Sequence, residues 1–395
     1  MLKRDVMLNR RRTEHVIVLS ALITLVAATT RGQTVAWRQR VTVNGPSAGA
    51  DLSMAYDLAR HVAVLFGGQT NDNLSQETWG WNGDPWTMLA STGPSPRDSS
   101  AMCYDVRRGV TVLFGGEDDN GTPLADTWEW DGTIWTRRVV SGPPPRVFHA
   151  MAYDAARGVT VLFGGFDGAA VSGDTWEWDG AAWSGPIGGT GPPARGGHRM
   201  AYDSLRHVIV LFGGGTAPLD NPVPLGDTWE LNATGWTQRT PPGPTPSPRY
   251  NGAMVYDSSR HVTVLFGGYA GDQNDGQTWA WNGSTWMQEP ISGPTARSSH
   301  VMAFDADRHV TVLFGGEDDS GGPNDQTWEL VPACGSADFN QDGSVGTDQD
   351  ILDFFSCLSG FCCPACGSAD FNGDGNLGTD ADIEAFFRVL GGGNC

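Results

Sequence analysis

Positive charge is scarce in this chain. Its 395 residues include 45 acidic residues and only 25 lysines and arginines, for a formal charge of −20. Lysine is all but absent: Lys3 is the single copy, so positive charge elsewhere is arginine. A chain this acidic repels phosphate backbones, which argues against nucleic acid as a partner. Long apolar runs are also missing. Residues 16–28 form a mostly apolar run of 13, whereas a bilayer-spanning helix needs roughly 20. Before residue 334 there is one cysteine, Cys103. No Ser/His/Asp spacing and no additional histidine cluster singles out one place for catalysis. What is plentiful is glycine (54) and proline (24), so turns are frequent. Aromatic residues make up 10% of the chain, too many for a disordered chain or a coiled coil.

Residues 1–33 read as an export signal. Lys3, Arg4, Arg10, Arg11 and Arg12 open it, the apolar run follows, and Ala27, Ala28, Thr29 and Thr30 supply small residues for cleavage. The mature chain, near −24, is expected to be secreted or held at the cell surface, with no membrane span. Export changes the meaning of cysteine. Cys334, Cys357, Cys362, Cys363, Cys366 and Cys395 all fall in the last 62 residues, and clustered, even-numbered cysteines in an exported chain read as disulfides. Zinc is the weaker alternative, because the neighbours are carboxylates and the segment has no histidine. Cys334 to Cys363 and Cys366 to Cys395 share one spacing, which suggests one bridge in each half of the tail, with Cys357 and Cys362 left to pair together.

Internal repetition sets the architecture of residues 34–332. Val-Leu-Phe-Gly-Gly occurs six times, ending at Gly68, Gly116, Gly165, Gly214, Gly268 and Gly316. A Tyr-Asp or Phe-Asp precedes each copy, from Tyr56-Asp57 to Phe304-Asp305, and a Thr-Trp follows each, from Thr78-Trp79 to Thr327-Trp328. One unit reads as four short strands, a to d. His149–Asp154 is strand a, Val159–Phe163 is strand b, Thr175–Trp178 is strand c, and strand d surrounds Trp183, with Asp179-Gly180 as the c–d hairpin turn. Four strands per repeat of this length make a propeller blade. The six strand-d tryptophans begin with Trp37, ahead of the first complete unit, and the last unit lacks a strand d. The simplest closure lends residues 34–42 to the last blade as its outer strand. The expected fold is therefore all-β, a six-bladed propeller with four antiparallel strands per blade.

This pattern resembles the kelch repeat, in which a Gly-Gly pair follows a hydrophobic strand and spaced aromatics come after it. Gly164-Gly165, Trp178 and Trp183 take those places, and Arg146 with His149 is similar to the Arg-x-x-His that opens many kelch units. The resemblance implies fold more than function, because kelch propellers host both partner binding and sugar oxidation. A galactose-oxidase-like copper site would need a Tyr–Cys link, for which Cys103 is the lone sulfur. Cys103 occupies the strand position of Ala152 and Ala201, so it reads as a core thiol.

The b–c and d–a loops share one face of such a ring, and the b–c loops vary from 9 to 13 residues. Variable loops on a fixed scaffold are where binding concentrates. Glu117, Asp118, Asp119, Phe166, Asp167, Tyr269, Asp272, Glu317, Asp318 and Asp319 collect there as candidate ligand contacts for a protein or glycan. His61, His207, His261 and His309 share a position with Gly109 and Gly158 and read as turn residues; His149, His198 and His300 read as inter-blade hydrogen-bonding groups.

Residues 334–395 hold a second repeat. Cys334–Asn340 and Cys366–Asn372 are identical heptapeptides, each leading into an acidic loop. Asp338, Asn340 and Asp342, followed by Gly343, place oxygens at positions 1, 3 and 5 and glycine at 6; Asp370, Asn372, Asp374 and Gly375 repeat this. That is the start of an EF-hand-type calcium loop, with Ser344 and Asn376 offering carbonyls at position 7. Asp350 and Asp382 stand one residue beyond the usual last ligand, just before apolar stripes at helical spacing; a capping box with Thr347 and Thr379 is their competing role. The paired loop–helix units resemble type I dockerin domains, which implies two calcium ions and docking to a cohesin-type or other surface partner. The combined reading is an exported binding or scaffold protein with a calcium-dependent tail, and second a secreted carbohydrate-active enzyme recruited by that tail.

Overall fold

A computed structural model describes residues 35–71, 73–216, 222–332, 347–358, 371 and 378–390. Six four-stranded antiparallel sheets form the propeller. In blade 1 the strands are Ser53–Asp57, Val62–Phe66, Thr78–Trp81 and Thr87–Ala90, hydrogen-bonded in that order. Blades 2 to 5 repeat this, with a strands at Ala101–Asp105, Ala150–Asp154, Arg199–Asp203 and Ala253–Asp257. Blade 6 takes Val301–Asp305, Val310–Phe314 and Thr327–Pro332, and its fourth strand is Val35–Arg40. The expected closure is present: Val35 pairs with Pro332, Trp37 with Leu330 and Arg40 with Thr327.

Each repeated residue has a mechanical job. The b strands carry Val-Leu-Phe at the centre of each sheet and are almost wholly buried between blades. Each strand-d tryptophan donates its indole N–H to the Thr-Trp threonine of the preceding blade. Trp135 reaches Thr78 at 2.8 Å, Trp183 reaches Thr127 at 2.9 Å and Trp286 reaches Thr228 at 3.0 Å. Trp86 to Thr327 and Trp37 to Thr278, both 2.9 Å, carry the ladder across the chain's seam. The aspartate of Tyr-Asp caps the a–b turn: Asp154 accepts from the amides of Ala156 and Arg157, and its other oxygen pairs with the Arg157 guanidinium. His61, His207, His261 and His309 sit in the left-handed region (φ 54–57°) at that turn, as Gly109 and Gly158 do. They are turn residues, as expected.

In the tail, α1 (Asp348–Leu358) and α2 (Asp380–Leu390) pack through Phe354 and Phe386, stacked at 3.9 Å, with Phe371 against Phe386 edge-on. Phe355 and Phe387 belong to the expected stripes but are exposed. No helix among the described residues is long and apolar enough to cross a membrane.

Candidate functional site

The Gly-Gly pairs let the backbone fold tightly at the ring's loop face. A Cβ on Gly116 (φ 93°) would fall 2.4 Å from the Asp98 carbonyl oxygen. Just inside these turns, one residue per blade adopts a left-handed backbone: Asp51, Ser99, Phe148, Gly197, Asn251 and Ser299. Five of the six are not glycine, a conformation that persists only where the surroundings impose it. The constraint is a closed belt. Ser99 N–H donates to the Asp51 carbonyl, Phe148 to Ser99, Gly197 to Phe148, Asn251 to Gly197, Ser299 to Asn251 and Asp51 to Ser299, at 2.8–3.1 Å. The belt rings the mouth of the central channel.

Immediately outside the belt, each d–a loop pairs with its own b–c loop through two facing residues. The backbone is the same in every blade and the chemistry is not. The pairs are Ala50 with Gln69, Asp98 with Glu117, Val147 with Phe166, Gly196 with Gly215, Tyr250 with Tyr269, and Ser298 with Glu317. A buried arginine clamps the two loops together in five blades. Arg146 holds Asp174 with both nitrogens (2.7 and 3.0 Å) and also donates to the Gly164 carbonyl. Arg97 and Arg195 hold Asp126 and Asp227 in the same two-pronged way, Arg249 reaches Asp275 with one nitrogen, and Arg297 donates to the side-chain oxygens of Asn324 and Gln326.

The expected loop residues divide accordingly. Glu117, Phe166, Tyr269 and Glu317 are members of the facing pairs. Asp118, Asp167 and Asp318 turn back on their own loops: Asp118 accepts from the amides of Asn120 and Thr122, and Asp167 from those of Ala169 and Ala170. These amides hold the Asp118 and Asp167 carboxyls below the usual range. Asp318 does this with Ser320. Asp319 accepts from Asn274 in the neighbouring blade at 2.9 Å. Asp119 and Asp272 are exposed.

One residue inside the channel breaks the repeat. The a strands open with Ser53-Met54, Ala101-Met102, Ala150-Met151, Arg199-Met200, Ala253-Met254 and Val301-Met302. The six methionines are 6–8% exposed and line one cavity of about 120 Å³, shared with Asp51, Ser53, Ser99 and Arg199. Arg199 donates to the carbonyls of Gly252 and His198 and forms no carboxylate pair within the described residues. Burial lowers its pKa, and the Asp51 charge opposes that. Aligning the six strand openings in the sequence exposes this arginine; its meaning needs the channel.

His149, His198 and His300 refine one expectation. They pack between blades, edge-on to Phe114, Phe163 and Phe266, whose backbone favours the protonated ring, though no ring nitrogen reaches a well-formed hydrogen bond among the described residues. Burial, with Arg146 beside it, pushes His149 down to about 3, so it is neutral in the fold. Cys103 is a buried free thiol pushed up to about 12 by burial, 3.4 Å from the Thr160 hydroxyl, as a core residue should be.

In the tail, Asp350 and Asp382 are fully buried and form the capping boxes. Asp350 accepts from the Thr347 amide (2.8 Å) and hydroxyl (2.9 Å), and Asp382 accepts from Thr379 at 2.7 and 2.9 Å. Asp338, Asn340, Asp342, Ser344, Asp370, Asn372, Asp374 and Asn376 lie outside the described residues, as do Cys334, Cys362, Cys363, Cys366 and Cys395. Cys357 is buried in α1.

Repeat, blade and clamp define a six-bladed propeller built from one recurring unit. Residues 54–235 match the family model described as the KLHDC2/KLHL20/DRC7 Kelch-repeats domain. The solved structure of YjhT is similar in fold, with a TM-score of 0.58 at 16% identity, covering 76% of this chain and 97% of that one. Among curated proteins nothing matches.

Proposed function

We propose that this chain is an exported binding protein whose channel mouth and surrounding loops present a specificity surface to a protein or glycan partner. The observation that carries this reading is the ring of facing pairs. Six identical backbone settings hold six different chemistries, the arrangement expected where a rigid scaffold carries a recognition surface. The kelch propeller itself favours protein binding. The tail, with its two acidic loops, would bind two calcium ions and serve docking to a cohesin-like or surface partner.

Arg199 favours a second reading, a secreted carbohydrate-active enzyme, because it puts an unrepeated positive charge in the channel beside Asp51. A protein and glycan interaction screen with the mature chain tests the two readings. Binding that Tyr269→Ala or Phe166→Ala removes, without turnover, supports the binding protein. Turnover of an oligosaccharide that Arg199→Ala abolishes supports the enzyme. Capture that depends only on the a–b turn face would overturn both.

A further inference from the structure

The facing pair of blade 2 sets two carboxylates side by side. Asp98 and Glu117 exchange backbone hydrogen bonds at 3.3 and 3.1 Å, so their side chains leave the same face of the loop ladder. Like charges directly opposite each other destabilise such a pair. The equivalent positions in other blades show that the backbone does not require acids: valine with phenylalanine, two glycines and two tyrosines all serve. Asp98 is only 7% exposed; its Oδ1 has no hydrogen-bond donor among the described residues, while the Ser99 side chain opposes the rise in its pKa. Its neighbour Arg97 is turned away, held by both oxygens of Asp126 at 2.6 and 3.0 Å. The two acids open on a groove of about 310 Å³ between the b–c loops of blades 1 and 2, also lined by Thr70, Asn73 and Asp118.

We propose that this groove binds an arginine side chain of a protein partner, with Asp98 and Glu117 as its two carboxylate receptors. The proposal rests on the reading of the loop face as a binding surface and names what one part of it recognises. A guanidinium carries donors on both edges of a plane and can bridge two carboxylates at once. Burial pushes Asp98 up to about 7, with the charges of Asp51 and Glu117 adding to it, and burial pushes Asp51 up to about 6. The unliganded acids thus lie in a setting that a bound cation would relieve.

The test is calorimetric titration of the mature chain with N-acetyl-argininamide and its neutral isostere N-acetyl-citrullinamide. The arginine compound should bind at least tenfold more tightly. Asp98→Asn and, as an independent variant, Glu117→Gln should each weaken it tenfold or more, while Asp131→Asn on the opposite face leaves it unchanged. Equal affinity for the two compounds, or wild-type affinity in both groove variants, overturns the proposal. So does calcium chloride displacing the arginine compound in an Asp98-dependent way, which would make the groove a metal site. If argininamide fails while Tyr269→Ala still abolishes partner capture, the groove assignment falls and the loop face stands as the binding surface.

Discussion

Two halves of the channel mouth share one backbone and differ in electrostatic condition. Blades 6, 1 and 2 place Ser298–Glu317, Ala50–Gln69 and Asp98–Glu117 around it, with Asp51 in the belt. Blades 3, 4 and 5 place Val147–Phe166, Gly196–Gly215 and Tyr250–Tyr269. The second half is internally content: the tyrosine rings lie 5.5 Å apart, and Gly196, Gly215 and Pro222 line a small hollow beside Tyr250. In the first half, Asp51, Asp98 and Glu117 are pushed up by burial, and Asp98 Oδ1 has no donor among the described residues. The contrast separates scaffold from recognition. Belt, clamps and tryptophan ladder recur in both halves, so the differences between them are free to serve partners.

The largest expected effect comes from opening the ring at the seam inside the acidic half. Deleting residues 34–42 removes the outer strand of blade 6 and the Trp37–Thr278 bond. The loss should be on the order of several kcal/mol, because a strand's burial and pairing go together. An unchanged melting temperature would show that Val35–Arg40 does not close the ring. Next, Arg195→Ala cuts a clamp in the aromatic half and leaves Asp227 with the Trp229 indole N–H but no counter-charge. Breaking a buried pair in this way costs roughly 3–5 kcal/mol, measurable by denaturant titration.

The third variant reverses sign. Asp98 ordinarily titrates near 3.8 and is pushed up to about 7 in the fold. The folded chain therefore keeps a proton that the unfolded chain releases, and stability falls as pH rises between these values. Asp98→Asn should stabilise the protein at pH 8, by at most about 4 kcal/mol, and the gain should vanish below pH 4. Melting curves across that range check it, with Asp51 and Glu117 left in place. A gain equal at both pH values would mean that Asp98 is not held protonated. The smallest effect concerns the tail. Chelation of the full chain should leave tryptophan fluorescence unchanged, since every tryptophan lies before residue 329, while the helical signal falls. A shift in tryptophan emission would tie calcium to the propeller instead.

The architecture was readable from the sequence because each repeated residue serves a repeated contact. Gly-Gly, Thr-Trp and Tyr-Asp recur as the tight turn, the indole acceptor and the turn cap, and counting them yields both the blades and the closing strand. The loop face was readable from its variability. Its internal division was not. Glu117 and Asp118 are adjacent acids, yet one faces Asp98 and the other caps its own loop, and that depends on backbone pairing between segments 19 residues apart in the case of Asp98 and Glu117. The belt was hidden for a related reason: Asp, Ser, Phe, Gly, Asn and Ser have no side-chain chemistry in common, and only their left-handed backbone unites them. The histidines were placed correctly between blades, but their ring contacts with Phe114, Phe163 and Phe266 were not foreseen, because sequence periodicity reports location and not the partner.

The belt has no first member. Its Asp51-to-Ser299 link spans the junction of the first and last blades at 2.9 Å, indistinguishable from the five links made along the chain. The mouth is thus indifferent to where the polypeptide is cut. A circular permutant with its old ends joined and new ones opened in an a–b turn, on the far face, should retain the same opening. Blades could likewise be exchanged between related rings, each carrying its own facing pair, without redesigning the frame that displays them.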